Sequence, residues 1–391
     1  MKTINTLMPT TIAVVLSLLL SGCGGGGSNE QTPTTPPTTD QGSGSTDNSN
    51  TLTETQALEK ITTVLVDDVI LPSYKLMLTE SEALQNTTSE VCEKSEFTEA
   101  DLTRLQTAWN KANSAWQEAR TIKFGPISDT YIYSQIQYMP IEATKLANDV
   151  ESILIEGETF TDGFPSSKHQ LQGLPAFEYV VFNQDEANAF LSSQNQGQRC
   201  AYLNVIANNT VTLMDEVVTQ WQGEYGEQFK AGTGSFSGHK GAIEKYLTFW
   251  FEYLEIINDE KLKATLDTSL PGNPELLESP FAHVSVNNIK TNMTALEQQF
   301  NGATEFGFDD LLVELYDRED VKNEITLHFK ALHSALDALE SATLADLIAT
   351  EAGRAKLTAV RTSITELRAL MASDFVQVTD LAPGFNTNDG D

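Results

Sequence analysis

The sequence predicts an all-α fold of two helical-bundle domains, and three observations predict it. Apolar residues recur at helical spacing through almost all of residues 52–380. No segment carries the sustained alternation or the closely spaced turns of a β domain. One glycine-rich stretch, AGTGSFSG within 229–240, interrupts the rhythm. It divides the pattern into an N-terminal helical bundle, 52–230, and a C-terminal helical bundle, 231–380, ahead of a flexible tail, 381–391.

The first element precedes the bundles. Lys2 leads into an apolar run at 12–20 that is too short to span a membrane, and then into Leu20-Ser21-Gly22-Cys23. Small residues ending in a cysteine directly after such a run form a lipobox, where signal peptidase cuts before a cysteine that carries diacylglycerol. Residues 1–22 are therefore expected to be a lipoprotein signal peptide and Cys23 the lipidated first residue. An uncleaved anchor followed by an incidental cysteine is the alternative, and the shortness of the run argues against it. Residue 24 is glycine and not the aspartate that commonly retains lipoproteins at the inner membrane. The expected address is the bacterial outer membrane, facing the periplasm, with surface exposure left open. Residues 23–51 hold the lipidated cysteine and a linker of Gly, Ser, Thr and Pro with no apolar periodicity. It reads as a disordered tether with a reach on the order of 30 Å.

The helices follow. Residues 52–84 carry Leu58, Ile61, Leu65, Val69 and Leu76 near helical spacing, with Pro72 expected to bend or interrupt them. Thr98 with acids behind it announces the next helix, whose Leu102, Leu105, Trp109, Ala112 and Trp116 form one stripe better read as core than as a ligand box. Residues 210–221, 242–257, 285–300, 308–315, 320–341 and 350–371 repeat the rhythm.

Composition limits the function. With 55 acidic against 24 basic residues the formal charge is −31, a surface that repels phosphate backbones and attracts cations, so no nucleic-acid partner is expected. The cysteines are Cys23, Cys92 and Cys200. With Cys23 lipidated, the odd count leaves one pair, and an oxidising compartment predicts a Cys92–Cys200 disulfide; two buried free thiols are the alternative. HExxH, GxSxG, P-loop and GxGxxG motifs are absent. Of the five histidines, His328 with Glu324 and His333 with Asp337 read as surface pairs on a helix.

One acid stands apart. In GLPAFEYVVF, 173–182, Glu178 interrupts an apolar and aromatic run, and an unpartnered carboxylate is costly to bury. Pro175 suits the first position of a helix, which would put Glu178 in the first turn, where the helix dipole favours its charged form. There it is either a hard metal ligand and hydrogen-bond acceptor or a residue that merely satisfies the helix start.

GLPAFEYVVF resembles the signature of imelysin-like proteins, Gly-x-His-x-x-Glu followed by an aromatic and an apolar pair. AWQEAR at 115–120, KFGPI at 123–127, DEKL at 259–262, ESPFAHVSVNNI at 278–289 and GFDDLL at 307–312 agree with that family in order. The resemblance implies two helical bundles with a functional site where they meet, export, a link to iron uptake and a historical classification as metallopeptidases. Gly173 and Glu178 carry over as site residues. The histidine does not, because Pro175 stands at its position and offers no metal ligand. His169, nine residues before Glu178, could approach in its place from the preceding loop. Among the other matched positions, Arg120 could reach a carboxylate such as Glu178, while Glu278 and Ser279, at a helix start, could add oxygen ligands or hydrogen bonds; a salt bridge and a cap that only maintain the fold are the equal alternative. Gly125 and Pro126 read as a turn.

These readings converge on a non-catalytic lipoprotein of imelysin type that takes part in iron uptake. It would bind iron, another divalent cation or an iron-bearing ligand in an interdomain cleft through Glu178, Glu278, Ser279 and Arg120. Its expected partners are the membrane, through the Cys23 lipid, and an outer-membrane or iron-uptake protein. An imelysin-type metallopeptidase and an interaction or scaffold lipoprotein docking on an outer-membrane partner are the rivals.

Overall fold

Every long element expected to be helical is helical in the computed structural model, which describes residues 52–156, 169–192, 194–339 and 342–384. The leader, Cys23, the linker and most of the tail lie outside the described residues, as does the side chain of His169. The longer helices are α1 Glu54–Val64, α2 Leu71–Cys92, α3 Glu99–Ala119, α4 Ala143–Glu156, α5 Leu174–Phe182, α6 Gln184–Leu191, α7 Gln196–Gln222, α8 Glu224–Ala231, α9 Gly238–Glu255, α10 Ser285–Phe300, α11 Phe308–Glu314, α12 Glu319–Asp337 and α13 Glu351–Leu370. No strand occurs among the described residues.

Local chemistry sets the ends of these helices. Thr53 and Thr98 cap α1 and α3 with capping boxes closed by Gln56 and Asp101. α8 stops at Ala231, at the glycine-rich stretch read as the boundary, with Gly232 behind it. Across that stretch the apolar core is continuous, with Trp109, Trp116 and Phe177 from one side and Leu254, Met293 and Phe300 from the other. α2 packs on α3 and α7, α12 on α13, and α10 on α3, so α3 is the element that joins early and late helices. The Cys92–Cys200 disulfide forms as expected and ties the end of α2 to α7.

Leu76 departs from the first stripe, where its spacing puts it, and is 42% exposed. The segment Leu65–Ile70 is a π-turn, whose extra residue rotates everything after it by about 100°. Tyr74 and Met77 therefore take the inward face, and Leu76 turns outward. Two more π-turns, Ile256–Lys263 and Met371–Phe375, follow α9 and α13.

Candidate functional site

The last turn of α3 starts the site. Trp116, Gln117 and Arg120 all point into the core, and Arg120, the helix C-cap, is 1% exposed. The chain then reverses at Gly125, whose φ of +70° suits glycine and whose missing Cβ leaves room for the Tyr225 ring. Pro126 opens the next short helix, so this pair is the turn the sequence suggested. The reversal returns Tyr133 and Gln137 to Arg120. Nε and Nη2 of Arg120 donate to the Tyr133 hydroxyl at 3.2 and 3.1 Å, and Nη1 donates to Gln137 Oε1 at 2.7 Å.

The later helices supply the counter-charges. Arg120 Nη1 also donates to Glu278 Oε1, forming a fully buried ion pair. Lys261 enters from the π-turn Ile256–Lys263, which leaves Asp259 and Glu260 exposed while turning Lys261 inward. Its Nζ donates to Glu278 Oε2 at 2.9 Å, Gln117 Oε1 at 3.0 Å and Asn292 Oδ1 at 2.6 Å. Asn288 Nδ2 donates to Glu278 Oε2 and to Ser279 Oγ, and Asn113 Nδ2 donates to Asn288 Oδ1 at 2.8 Å. One carboxylate thus holds two cations, with amides filling the remaining positions, the arrangement that lets a buried charge persist.

Glu178 lies next to this network with a different partner. It is the fifth residue of α5, since Leu174 is the first and Pro175 the second, so it falls beyond the first turn and the local dipole does not explain it. Nor does Arg120 reach it. Instead Glu178 Oε1 accepts from the backbone N–H groups of Phe281 and Ala282, at 2.9 and 2.8 Å, in the loop before α10. Glu278 and Ser279 also sit in that loop and not in a helix start, because α10 begins at Ser285. Gly173 ahead of α5 lets the backbone of 135–136 approach so closely that a Cβ would lie 2.1 Å from the Ile136 carbonyl oxygen. Tyr179 packs edge-on against Phe281, with ring centroids 5.0 Å apart, and donates its hydroxyl to Glu151 at 2.6 Å.

Burial divides the charge states. Desolvation pushes Glu178 up to about 8; the two backbone donors oppose the rise and the Glu278 charge adds to it. Burial raises Glu278 too, but Lys261 and Arg120 outweigh it and hold that carboxyl below its ordinary value. Lys261 falls to about 7, through desolvation first and then despite the Glu278 charge, with Arg120 lowering it further. Burial thus favours the neutral form of Glu178 beside an ionised Glu278 and a charged Arg120, while Lys261, whose three donated hydrogen bonds require its protonated form, gives up that proton more readily than an ordinary lysine.

That pattern does not fit a bound metal. Glu178 uses Oε1 for two N–H donors, while the carboxylate beside it is taken by Arg120 and Lys261, whose charge would repel a further cation. Among the described residues no three His, Cys, Asp or Glu side chains gather in a metal-ligand cluster. The site's own side chains can hydrogen-bond and exchange protons. The histidine pairs also differ from expectation in one case: His328 stays 3.8 Å from Glu324, but His333 pairs with Glu297 on α10 at 2.7 Å, and Asp337 takes Lys290.

Of the expected site residues, Arg120, Glu278 and Ser279 share one network and Glu178 adjoins it through the same loop, with Gly173 seating α5. Lys261, Gln117 and Asn288 join them unexpectedly, although each lies in one of the motifs DEKL, AWQEAR or SVNNI; a buried polar residue inside an apolar-flanked motif was the available signal. Gln137 and Tyr133 had no signal of that kind.

Fold and site together define an all-α protein built around a buried, charge-compensated polar network that joins early and late helices. The family model described as Imelysin matches residues 70–371, and the chain belongs to the imelysin family. Its fold is similar to that of an imelysin-like protein from Psychrobacter arcticum 273-4, with a TM-score of 0.70 and 16% identity over 86% of this chain and 99% of that one. It is also similar to a protein from Parabacteroides distasonis ATCC 8503 described as an iron-regulated protein A precursor, with a TM-score of 0.67 and 17% identity over 83% and 97% of the two chains. At these identities the likeness is one of fold. No curated protein matches the chain.

Proposed function

We propose that the chain is a non-catalytic lipoprotein of the imelysin family, anchored through Cys23 on the periplasmic side of the outer membrane. It serves iron uptake by binding an iron-bearing ligand where α5, the loop before α10 and the segment 131–138 come together. One observation carries the reading: Glu178, the signature acid, is buried and spends Oε1 on two backbone N–H groups of that loop, and burial raises its carboxyl. It suits a site that positions a loop for a ligand better than one that activates water or holds a bare ion. Pro175, at the second position of α5, adds no general base or ligand. The fold shared with a protein described as iron-regulated supports the association with iron. A cavity of about 230 Å³ includes Tyr138, the neighbour of Gln137, and Gln170, just ahead of the signature.

The test is metal analysis of the protein purified from iron-replete cells, with mass spectrometry for any organic component. Iron retained together with an organic molecule, and not restored to stripped protein by simple ferrous or ferric salts, is the expected result. Restoration by the salts alone would replace this reading with a bare-ion site. Chelator-sensitive cleavage of a generic protein, lost in Glu178→Gln, would reinstate the metallopeptidase. A second reading, docking on an outer-membrane protein, is favoured by Tyr131 and Tyr138, which are 74% and 45% exposed on the segment that delivers Tyr133 and Gln137 to Arg120. A defined receptor bound equally with and without iron would favour it.

A further inference from the structure

A second polar site lies away from Glu178, at the π-turn Leu65–Ile70. A cavity of about 50 Å³ opens there between the π-turn, the start of α2, the end of α3, the end of α10 and the turn that follows it. Asp68, Ser73, Glu118 and Gln299 line it, and its lining contains no Lys, Arg or His. The volume suffices for one ion with a water, since a water takes about 30 Å³ of liquid.

The four side chains present oxygen. Glu118 accepts from Ser73 Oγ at 2.9 Å and pairs with no cation among the described residues. Gln299 is 3% exposed, and its Oε1 is buried with no hydrogen-bond partner. The orientation of its amide is set by its neighbour. Thr121 Oγ1 gives its hydrogen to the Glu118 carbonyl at 2.6 Å, so it can only accept from Gln299, and Nε2 fills that role at 2.6 Å. The amide oxygen is what Gln299 has left. Leaving such a group unpaired in the interior costs about 1–3 kcal/mol, so it calls for an occupant.

The Asp68 and Glu118 carboxylates in the lining favour an occupant of positive charge. Burial first, then Glu305 and Asp67, push the Asp68 carboxyl up, and Lys230, 3.2 Å from Asp67, compensates only that neighbour. A water could satisfy Gln299 but would bring no counter-charge to Glu118.

We propose that the cavity is a binding site for a hard divalent cation of the calcium class, held by the Asp68 and Glu118 carboxylates and the Gln299 amide oxygen, with Ser73 and water completing the shell. The donor set contains only oxygen and is irregular, drawn from three helices and a π-turn, which suits calcium better than the strict octahedron of magnesium. Two acids, an amide and a hydroxyl lie outside the pattern of three converging acids or histidines, and the site is independent of the Glu178 network. Its consequence would be local: the ion would join α2, α3 and α10 two residues before Arg120.

Calorimetric titration of chelator-treated protein with calcium chloride tests this, alongside thermal melts with and without calcium. One ion per chain is expected, with a dissociation constant on the order of 10⁻⁴–10⁻³ M, the range of extracellular calcium modules. Asp68→Asn with Glu118→Gln should weaken it by about tenfold or more. Gln299→Glu should melt lower than the parent without calcium and recover with it, because the new carboxylate is unpaired only when the site is empty. Asp68 is exposed, so Asp68→Asn alone still reports on binding if a buried variant fails to fold. No heat and no change in melting at about 10 mM calcium, well above that range, would overturn the proposal. So would binding that is unchanged in the double variant, which would place the ion elsewhere on the acidic surface.

Discussion

Replacing Glu178 with glutamine should change how stability depends on pH more than it changes the fold. The amide oxygen can still accept from Phe281 and Ala282, and the amide nitrogen takes the place of the protonated oxygen, so the packing is kept. What is lost is a titration. Burial holds the native carboxyl protonated up to about 8, against an ordinary value of 4.5. Between these limits the unfolded chain is ionised while the native chain keeps its proton. Native stability therefore falls as pH rises from 4.5 to about 8 and then levels off. At about 1.4 kcal/mol per pH unit the whole window is worth at most about 5 kcal/mol. Lys261, lowered to about 7, has the opposite slope: native stability rises as pH climbs from about 7 towards 10.5. That slope is common to both proteins and cancels in their difference. Urea unfolding of wild type and Glu178→Gln, from about pH 5 to about pH 8, should show the variant gaining several kcal/mol on wild type across the range. A constant gap would mean that Glu178 is ionised in the folded protein, and it would return the residue to the anionic ligands.

Two further substitutions test the frame around the site. Gly173→Ala drives a Cβ to 2.1 Å from the Ile136 carbonyl oxygen and 2.6 Å from that of Gln135; a loss of about 3 kcal/mol is expected, seen as a melting temperature lower by several degrees, and unchanged melting would show that 132–136 does not rest on α5. Removing the Cys92–Cys200 bond as a double serine variant frees a loop closed over 108 residues and should cost about 4–5 kcal/mol in urea. A wild type equally stable with and without reductant would contradict the bond.

The helical fold was legible because burial imposes period on sequence, and the 3.6-residue rhythm is the trace of one apolar face. Leu76 shows where that reading fails: a π-turn has no strong sequence signature, and one inserted residue exchanges the inward and outward faces of the rest of the helix. The site was legible by residue and not by partner. Arg120 was expected to find a carboxylate and did, but Glu278, about 160 positions along the chain, took it, and Glu178 turned to the backbone. Choice among several acids is a matter of tertiary distance, which spacing along the chain does not encode. Gln137 is the extreme case, since nothing about a glutamine near a cis proline marks it as the acceptor shared by Arg120 and Trp116.

Pro175 makes the chemical departure compatible with the fold. At the second position of α5 the backbone N–H has no intrahelical acceptor, so a proline costs no hydrogen bond there and its ring presets the helical φ. A histidine can thus be lost at this position without loss of the helix, which would remove a metal ligand while leaving Glu178 where it is. The carboxyl left behind is fully buried, and with no cation beside it the lowest-energy state is the protonated one, held by two N–H groups of the opposite loop. The same loop supplies Glu278 to Arg120 and Lys261. A group that bears on the loop at Phe281 or Ala282 therefore acts on Glu178 and Glu278 together, so binding at that face and the protonation of Glu178 should be linked even if the ligand never touches the carboxyl.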